Sequence, residues 1–381
     1  MKALYAYPDH EVISDLIPGI SDSWLPTAEA IETIRATSGL VPLAIDPTGG
    51  GRVYWADIGA TPFREWQYTY TIARLAEAGE IRRYFSTSMD VLLADGLIPD
   101  PVPVAGFVFH VSRCGSTLMG KALARHPDHI VINQGSPLQR GYWAYITDDW
   151  RREAAATSDN IKILQNLMAA MTRRRVGSER LAFVKFISWN VLYADFIKRA
   201  FPDVPSLFMY RDPVEVIASV MRETTAVLEV KGHRQAGFLT GLPHEDTAAM
   251  GAVEYLAHCY ANYFHHVLTP PKDVPYMHFL NYRDLNPSNF AKILRRGLGL
   301  VVEENALAKM VEQFIYHSKD DSGKKVFADD SQDKQAVLSS LDRTVVDSIC
   351  RDALRALDQD PRNLYPPQNF ENKQDVRETV E

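Results

Sequence analysis

From Gly106 onward the chain alternates short apolar runs with amphipathic ones, and this alternation restricts the fold more than any other feature. The runs "FVFHV" (107–111), "IVIN" (130–133), "LAFVKF" (181–186), "SLFMYR" (206–211) and "VPYMHFLNYRDL" (274–285) have strand length and composition. Segments 117–125, 149–175, 191–202 and 213–223 carry apolar residues at helical spacing. Strands separated by helices predict an α/β domain, a mostly parallel sheet with helices on both faces. Ligands of such sheets collect at the carboxyl ends of the strands. Lys185, Arg211 and the turn after 111 all fall there.

Residues 1–100 read differently. A short helix stopped by Gly39, two strands around Gly49-Gly50-Gly51, and a helix stopped by Gly79 predict a small N-terminal α+β domain. No helix follows the triple glycine, so it reads as a hairpin tip rather than a phosphate cradle. The proline-rich 97–104 predicts a linker, residues 101–365 the main domain, and the polar 366–381 a tail. Within the main domain, 247–268 predicts a helix and 287–300 a helix with a glycine stop, while 317–334 reads as a lysine-rich loop.

A length of 381 residues accommodates this division. The formal net charge of -7 argues against a nucleic-acid partner. Cys114, Cys259 and Cys350 are odd in number and widely spaced, which disfavours disulfides and a zinc site. His258, His265, His266 and His278 have no dedicated ligand spacing, so no metal is expected. No apolar run approaches the ~18 residues of a membrane span. A cytoplasmic location is expected.

The turn "SRCGSTL" (112–118) joins the strand at 107–111 to a helix. Gly115 permits close backbone approach, Ser116 and Thr117 offer hydroxyls at the first helical turn, and Arg113 offers a fork of donors. A helix N-terminus carries partial positive charge, so the set suits a phosphate. Gly115 to Lys121 also has Walker A spacing, but Ala122 stands where a metal-binding Ser or Thr belongs. The apolar spacing of Leu118, Met119, Ala122 and Leu123 makes the segment helix rather than loop.

"SRCGSTLMGKALARHPD" resembles the 5′-phosphosulfate loop of sulfotransferases that use 3′-phosphoadenosine 5′-phosphosulfate (PAPS), nearest to the tyrosylprotein and carbohydrate types. The resemblance implies a P-loop-type sheet, and that Arg113, Cys114, Gly115, Ser116, Thr117 and Leu118 hold the 5′-phosphate. "YRDPVEVIAS" is similar to the 3′-phosphate element of that family, with Arg211 ending a strand and Ser219 eight residues later. Lys185 matches a lysine near the transferred sulfuryl group. Tyr282 is implied to pack near the nucleotide. Ser318, Lys319, Lys324, Lys325 and Lys334 lie where relatives close a loop over the donor. The implied reaction is in-line sulfuryl transfer from PAPS, as co-substrate, to a hydroxyl or amine acceptor, with no obligatory metal.

The general base is not evident. Gln134 stands where the family carries Glu, and a glutamine orients an acceptor but takes no proton. Asp148, Asp149, Glu223 and His233 are the substitutes in sequence. Two other readings are a magnesium-dependent kinase-like phosphotransferase with Asp212 on the metal, and a silent nucleotide-binding protein on the same scaffold. Arg173-Arg174-Arg175 reads as a solvated helix end.

Overall fold

The computed structural model describes residues 10–274, 277–316 and 338–366. The N-terminal part is built on an antiparallel sheet of three strands, β1 (Leu40–Asp46), β2 (Arg52–Asp57) and β3 (Tyr84–Ser88), in the order β1-β2-β3. At the β1–β2 tip Asp46 Oδ1 accepts from Thr48 N–H at 2.9 Å and from its hydroxyl at 2.7 Å. The three glycines then turn the chain in left-handed conformations that favour glycine. The helix Tyr68–Glu77 buries Tyr68, Ile72 and Leu75. β3 escaped the sequence reading because "YFSTS" is short and lacks a clear apolar alternation.

The main sheet has five parallel strands in the order β5-β6-β4-β7-β8: β4 (Val104–His110), β5 (His129–Asn133), β6 (Leu181–Lys185), β7 (Ser206–Tyr210) and β8 (His278–Asn281). β5, β6 and β7 are almost wholly buried, as runs of Val, Ile, Phe and Leu require when both faces are covered. The chain leaves β4 in one direction along the sheet toward β5. It returns through β6 and crosses to β7 in the other direction. Right-handed crossovers therefore set the connecting helices on both faces. The reversal occurs beside the carboxyl end of β4, where a ligand crevice forms in sheets of this kind. Among the described residues no helix is long and apolar enough to cross a membrane.

Three segments differ from the sequence reading. The helix expected over 149–175 is confined to Ser158–Met171, with Thr157 accepting from Asn160 N–H as its cap. A separate helix, Gly141–Thr147, precedes it and ends in three consecutive left-handed residues, Asp148, Asp149 and Trp150. The expected helix at 247–268 is interrupted before Gly251, giving His244–Ala249 and Ala252–Leu268. Val104, assigned to the linker, opens β4, and Pro101 bridges to Arg173.

The last long helix, Ser340–Gln359, packs along Ala252–Leu268. It buries Val346, Cys350, Ala353 and Leu357 and starts in a capping box between Ser339 and Asp342. That spacing and cap were present in the sequence as a helix signal. A single apolar cluster runs from Ile13 through both sheets to Leu364.

Candidate functional site

β4 ends at His110, and the chain then turns through Ser112 (φ 78°), Arg113 (φ 48°) and Gly115 (φ 78°), all left-handed. Such φ values in residues other than glycine cost roughly 1–3 kcal/mol each and persist only where surrounding contacts enforce them. His110 supplies one such contact. Its Nδ1 accepts the Ser112 N–H at 2.8 Å, so the proton sits on Nε2, which donates to the Phe186 carbonyl at 2.9 Å. This ring ties the turn to the end of β6. Burial, with the nearby charge of Lys185, holds the His110 imidazole well below its ordinary range, and it is neutral. The sequence reading passed over His110 as part of an apolar strand.

Gly115 is the N-cap of the helix Ser116–Leu123, and no side chain caps it. A simple capped turn would have used Ser116 or a neighbouring hydroxyl for that purpose. A Cβ on Gly115 would lie 2.8 Å from Leu285 Cδ2 and 2.9 Å from Tyr282 Cδ2, so the turn after β8 presses directly on the loop. Ser116 is buried; Thr117 and Leu118 are half-buried. Cys114 points inward, its Sγ donating to the Met209 carbonyl at 3.2 Å, and burial pushes the thiol up to about 11. What Cys114 can offer a ligand is therefore its backbone. Lys121 lies in the second helical turn, so Gly115 to Lys121 does not form the long loop of a Walker A motif.

Asn133 and Lys185 are paired at the carboxyl ends of β5 and β6. The next residue, Gln134, is left-handed (φ 53°), and its N–H donates to the Lys185 carbonyl at 2.7 Å. Gln139 Nε2 holds the Gln134 carbonyl at 2.8 Å. The Lys185 side chain is buried, and its positive charge reaches both His110 and Cys114.

Arg211 follows β7. Its Nε and Nη2 both reach Glu215 Oε2 at 2.5 Å, its Nη1 lies 3.4 Å from the Arg113 carbonyl oxygen, and its guanidinium sits 4.3 Å from the centre of the Tyr282 ring. Asp212 Oδ1 accepts from Val214 N–H at 2.8 Å and opens the helix Pro213–Arg222, which carries buried Ser219. Tyr282 thus touches the loop and Arg211 together. Behind it, Asp358 accepts from Tyr210 Oη at 2.7 Å, Asn281 Nδ2 at 3.1 Å and Arg283 Nη2 at 3.1 Å. The C-terminal helix thereby holds the turn that presents Tyr282, a role for Asp358 that no local motif announced.

Arg113 is engaged by Glu223, Nη1 with the carboxylate at 2.7 Å and Nη2 with the carbonyl oxygen at 2.6 Å. Asp149 pairs with Arg140 at 2.9 Å and with Arg234 at 3.5 Å, and Asp148 with Arg151 at 3.4 Å. His233 is exposed. Ser318, Lys319, Lys324, Lys325 and Lys334 lie outside the described residues. Among the described residues no group of three or more His, Cys, Asp or Glu side chains is arranged to hold a metal ion.

The run Arg173 to Arg175 is not a solvated helix end. Arg173 is 4% exposed and donates to the Ile34 carbonyl at 2.8 Å, and Arg175 lies 4.8 Å from the Phe63 ring centre. These arginines join the N-terminal part to the strand-entry end of the main sheet.

Residues 107–286 match the model of the sulfotransferase family. No curated protein matches the chain. Solved structures similar to it include the sulfotransferase domain from the curacin biosynthetic pathway, at 12% identity over 65% of this chain and 98% of that one, TM-score 0.37. Sulfotransferase STF9 from Mycobacterium avium is 11% identical over 67% of this chain and 77% of its own, TM-score 0.40. Sulfotransferase STF1 from Mycobacterium tuberculosis H37Rv is 13% identical over 62% of this chain and 77% of its own, TM-score 0.34.

Proposed function

Because residues 107–286 belong to the sulfotransferase family, we propose that the protein transfers a sulfuryl group from PAPS to a hydroxyl or amine acceptor. The observation that carries this reading is the joining of two anion-binding elements through one aromatic residue. Tyr282 packs on the Gly115 turn and on the Arg211 guanidinium, which supports a reading in which the two elements hold one ligand. A donor with phosphate at both ends of a ribose needs two such separated cationic sites.

The residues fit that donor. Ser112, Arg113 and Gly115 turn in left-handed conformations, with Tyr282 and Leu285 packed so closely that Gly115 admits no Cβ, and backbone N–H groups in turns of this kind receive anions. In this reading Arg113 and the hydroxyls of Ser116 and Thr117 hold the 5′-phosphate. Arg211 and Ser219 hold the 3′-phosphate, with Glu215 fixing the arginine fork. Lys185, at the next strand end, neutralises charge on the sulfuryl oxygens. Gln134 orients the acceptor by hydrogen bonding. Catalysis then rests on positioning and on fixed charge aimed at the transition state. A location in the cytoplasm is part of the same proposal.

A thermal-shift panel tests the donor assignment. 3′,5′-ADP is expected to raise the melting temperature well beyond 5′-ADP or magnesium–ATP at equal concentration. Equal shifts from all three nucleotides, or a response to magnesium–ATP alone, would remove the assignment.

A further inference from the structure

Resting on the sulfotransferase reading, we propose that Glu223 receives the acceptor's proton, and that the arriving donor frees it for this by displacing it from Arg113. One residue holds both ends of the Arg113 fork, through its carboxylate at 2.7 Å and its own carbonyl at 2.6 Å. The Arg113 side chain is 12% exposed and that of Glu223 is 60% exposed. The arginine is fixed in the wall and the carboxylate closes it from the open side.

The placement of Glu223 follows from its helix. Its N–H donates to the Ser219 carbonyl at 3.1 Å, and its backbone is already extended (φ -137°, ψ 102°) where the helix Pro213–Arg222 ends. Its side chain can therefore leave Arg113 without unwinding a helical turn. It stands one turn beyond Ser219 and in contact with Arg113 of the 112–118 turn.

An arginine fork matches one planar oxyanion at a time. A largely exposed carboxylate is a weak holder of it, and a donor anchored by several phosphate contacts competes for the same N–H groups. Once displaced, the carboxylate is a base beside the reacting centre. The other acidic candidates pair with arginines other than Arg113, Asp149 with Arg140 and Arg234, Asp148 with Arg151. In the transfer, a lone pair of the acceptor oxygen or nitrogen forms the new bond to sulfur. The bond from sulfur to the bridging oxygen breaks, and its electron pair leaves on the 5′-phosphate held by Arg113. The acceptor's proton passes to Glu223.

Calorimetric titration with 3′,5′-ADP and PAPS turnover to 3′,5′-ADP, with phenol or water as acceptor, test this in wild type, Glu223→Gln and Glu223→Asp. The two readouts are expected to move in opposite directions. Glu223→Gln binds 3′,5′-ADP about five- to twentyfold more tightly, because the competing charge is gone, yet turns over about 10²-fold more slowly. Glu223→Asp recovers most of the rate. Unchanged or weaker binding in Glu223→Gln overturns the displacement, and an unchanged rate overturns the base. Wild-type binding without turnover on either acceptor also counts against the base. Failure of the wild type to bind 3′,5′-ADP at all would instead remove the underlying functional reading.

Discussion

Arg211 Nη1 lies 3.4 Å from the carbonyl oxygen of Arg113, so two residues 98 positions apart meet where the strands β4 and β7 end. The contact is long for a hydrogen bond and holds the fork loosely, while Glu215 fixes its other nitrogens at 2.5 Å.

Arg211 is expected to supply the preference for a 3′-phosphate. Arg211→Ala should abolish the difference in affinity between 3′,5′-ADP and 5′-ADP. A charge-assisted contact contributes about 1.5–3 kcal/mol, or roughly 10- to 150-fold. Because the substitution also removes the cation beside Glu215, the double variant Arg211→Ala/Glu215→Ala separates lost recognition from lost stability. A preference retained in the double variant, measured by calorimetry, would contradict the assignment.

Gly115→Ala should damage both fold and site. The left-handed φ costs a residue with a Cβ about 1–2 kcal/mol, and the added carbon meets Tyr282 and Leu285 inside van der Waals distance. A melting temperature lower by a few degrees, with 3′,5′-ADP binding lost, is the expected outcome. Gly50→Ala is the control, since its Cβ would meet nothing within 4 Å although its φ is equally positive.

Lys185→Met should separate chemistry from binding. A lysine that meets only the sulfuryl oxygens leaves affinity for 3′,5′-ADP, which lacks them, within roughly threefold of wild type. Loss of one such donor costs about 10²–10³ in kcat. Single-turnover transfer beside a binding titration reads the two effects, and an equal loss in both would place Lys185 on the phosphate instead.

His110 predicts an acid-sensitive loop. Its folded pKa lies well below the ordinary value near 6.5, so the unfolded chain binds the proton more readily. Its contribution to stability is fully present above about pH 6.5 and declines as pH falls from there toward the folded pKa. Protonation also costs the loop its anchor, since Nδ1 can then no longer accept from Ser112. Unfolding of wild type and His110→Phe from pH 8 to pH 5 should show a shallower acid decline in the variant. The decline that remains includes His129, which burial pushes down to about 4. Parallel curves for the two proteins would contradict the role given to His110.

The periodicity of residues 107–223 and the arginine, glycine and hydroxyls of the loop were readable because each depends on neighbours in sequence. Helical and strand spacing, caps and turn residues are local quantities. By the same reasoning the order of strands and helices already implied a parallel sheet with its crevice at the strand ends. Tertiary structure alone decided that the His110 ring braces a strained turn, that Glu223 closes the Arg113 fork, and that Asp358 holds the turn bearing Tyr282. It also drew Arg173 inward onto the Ile34 carbonyl, where composition indicated a solvated run. Contacts across long separations depend on which surfaces the sheet order brings together, and no window of sequence contains both partners.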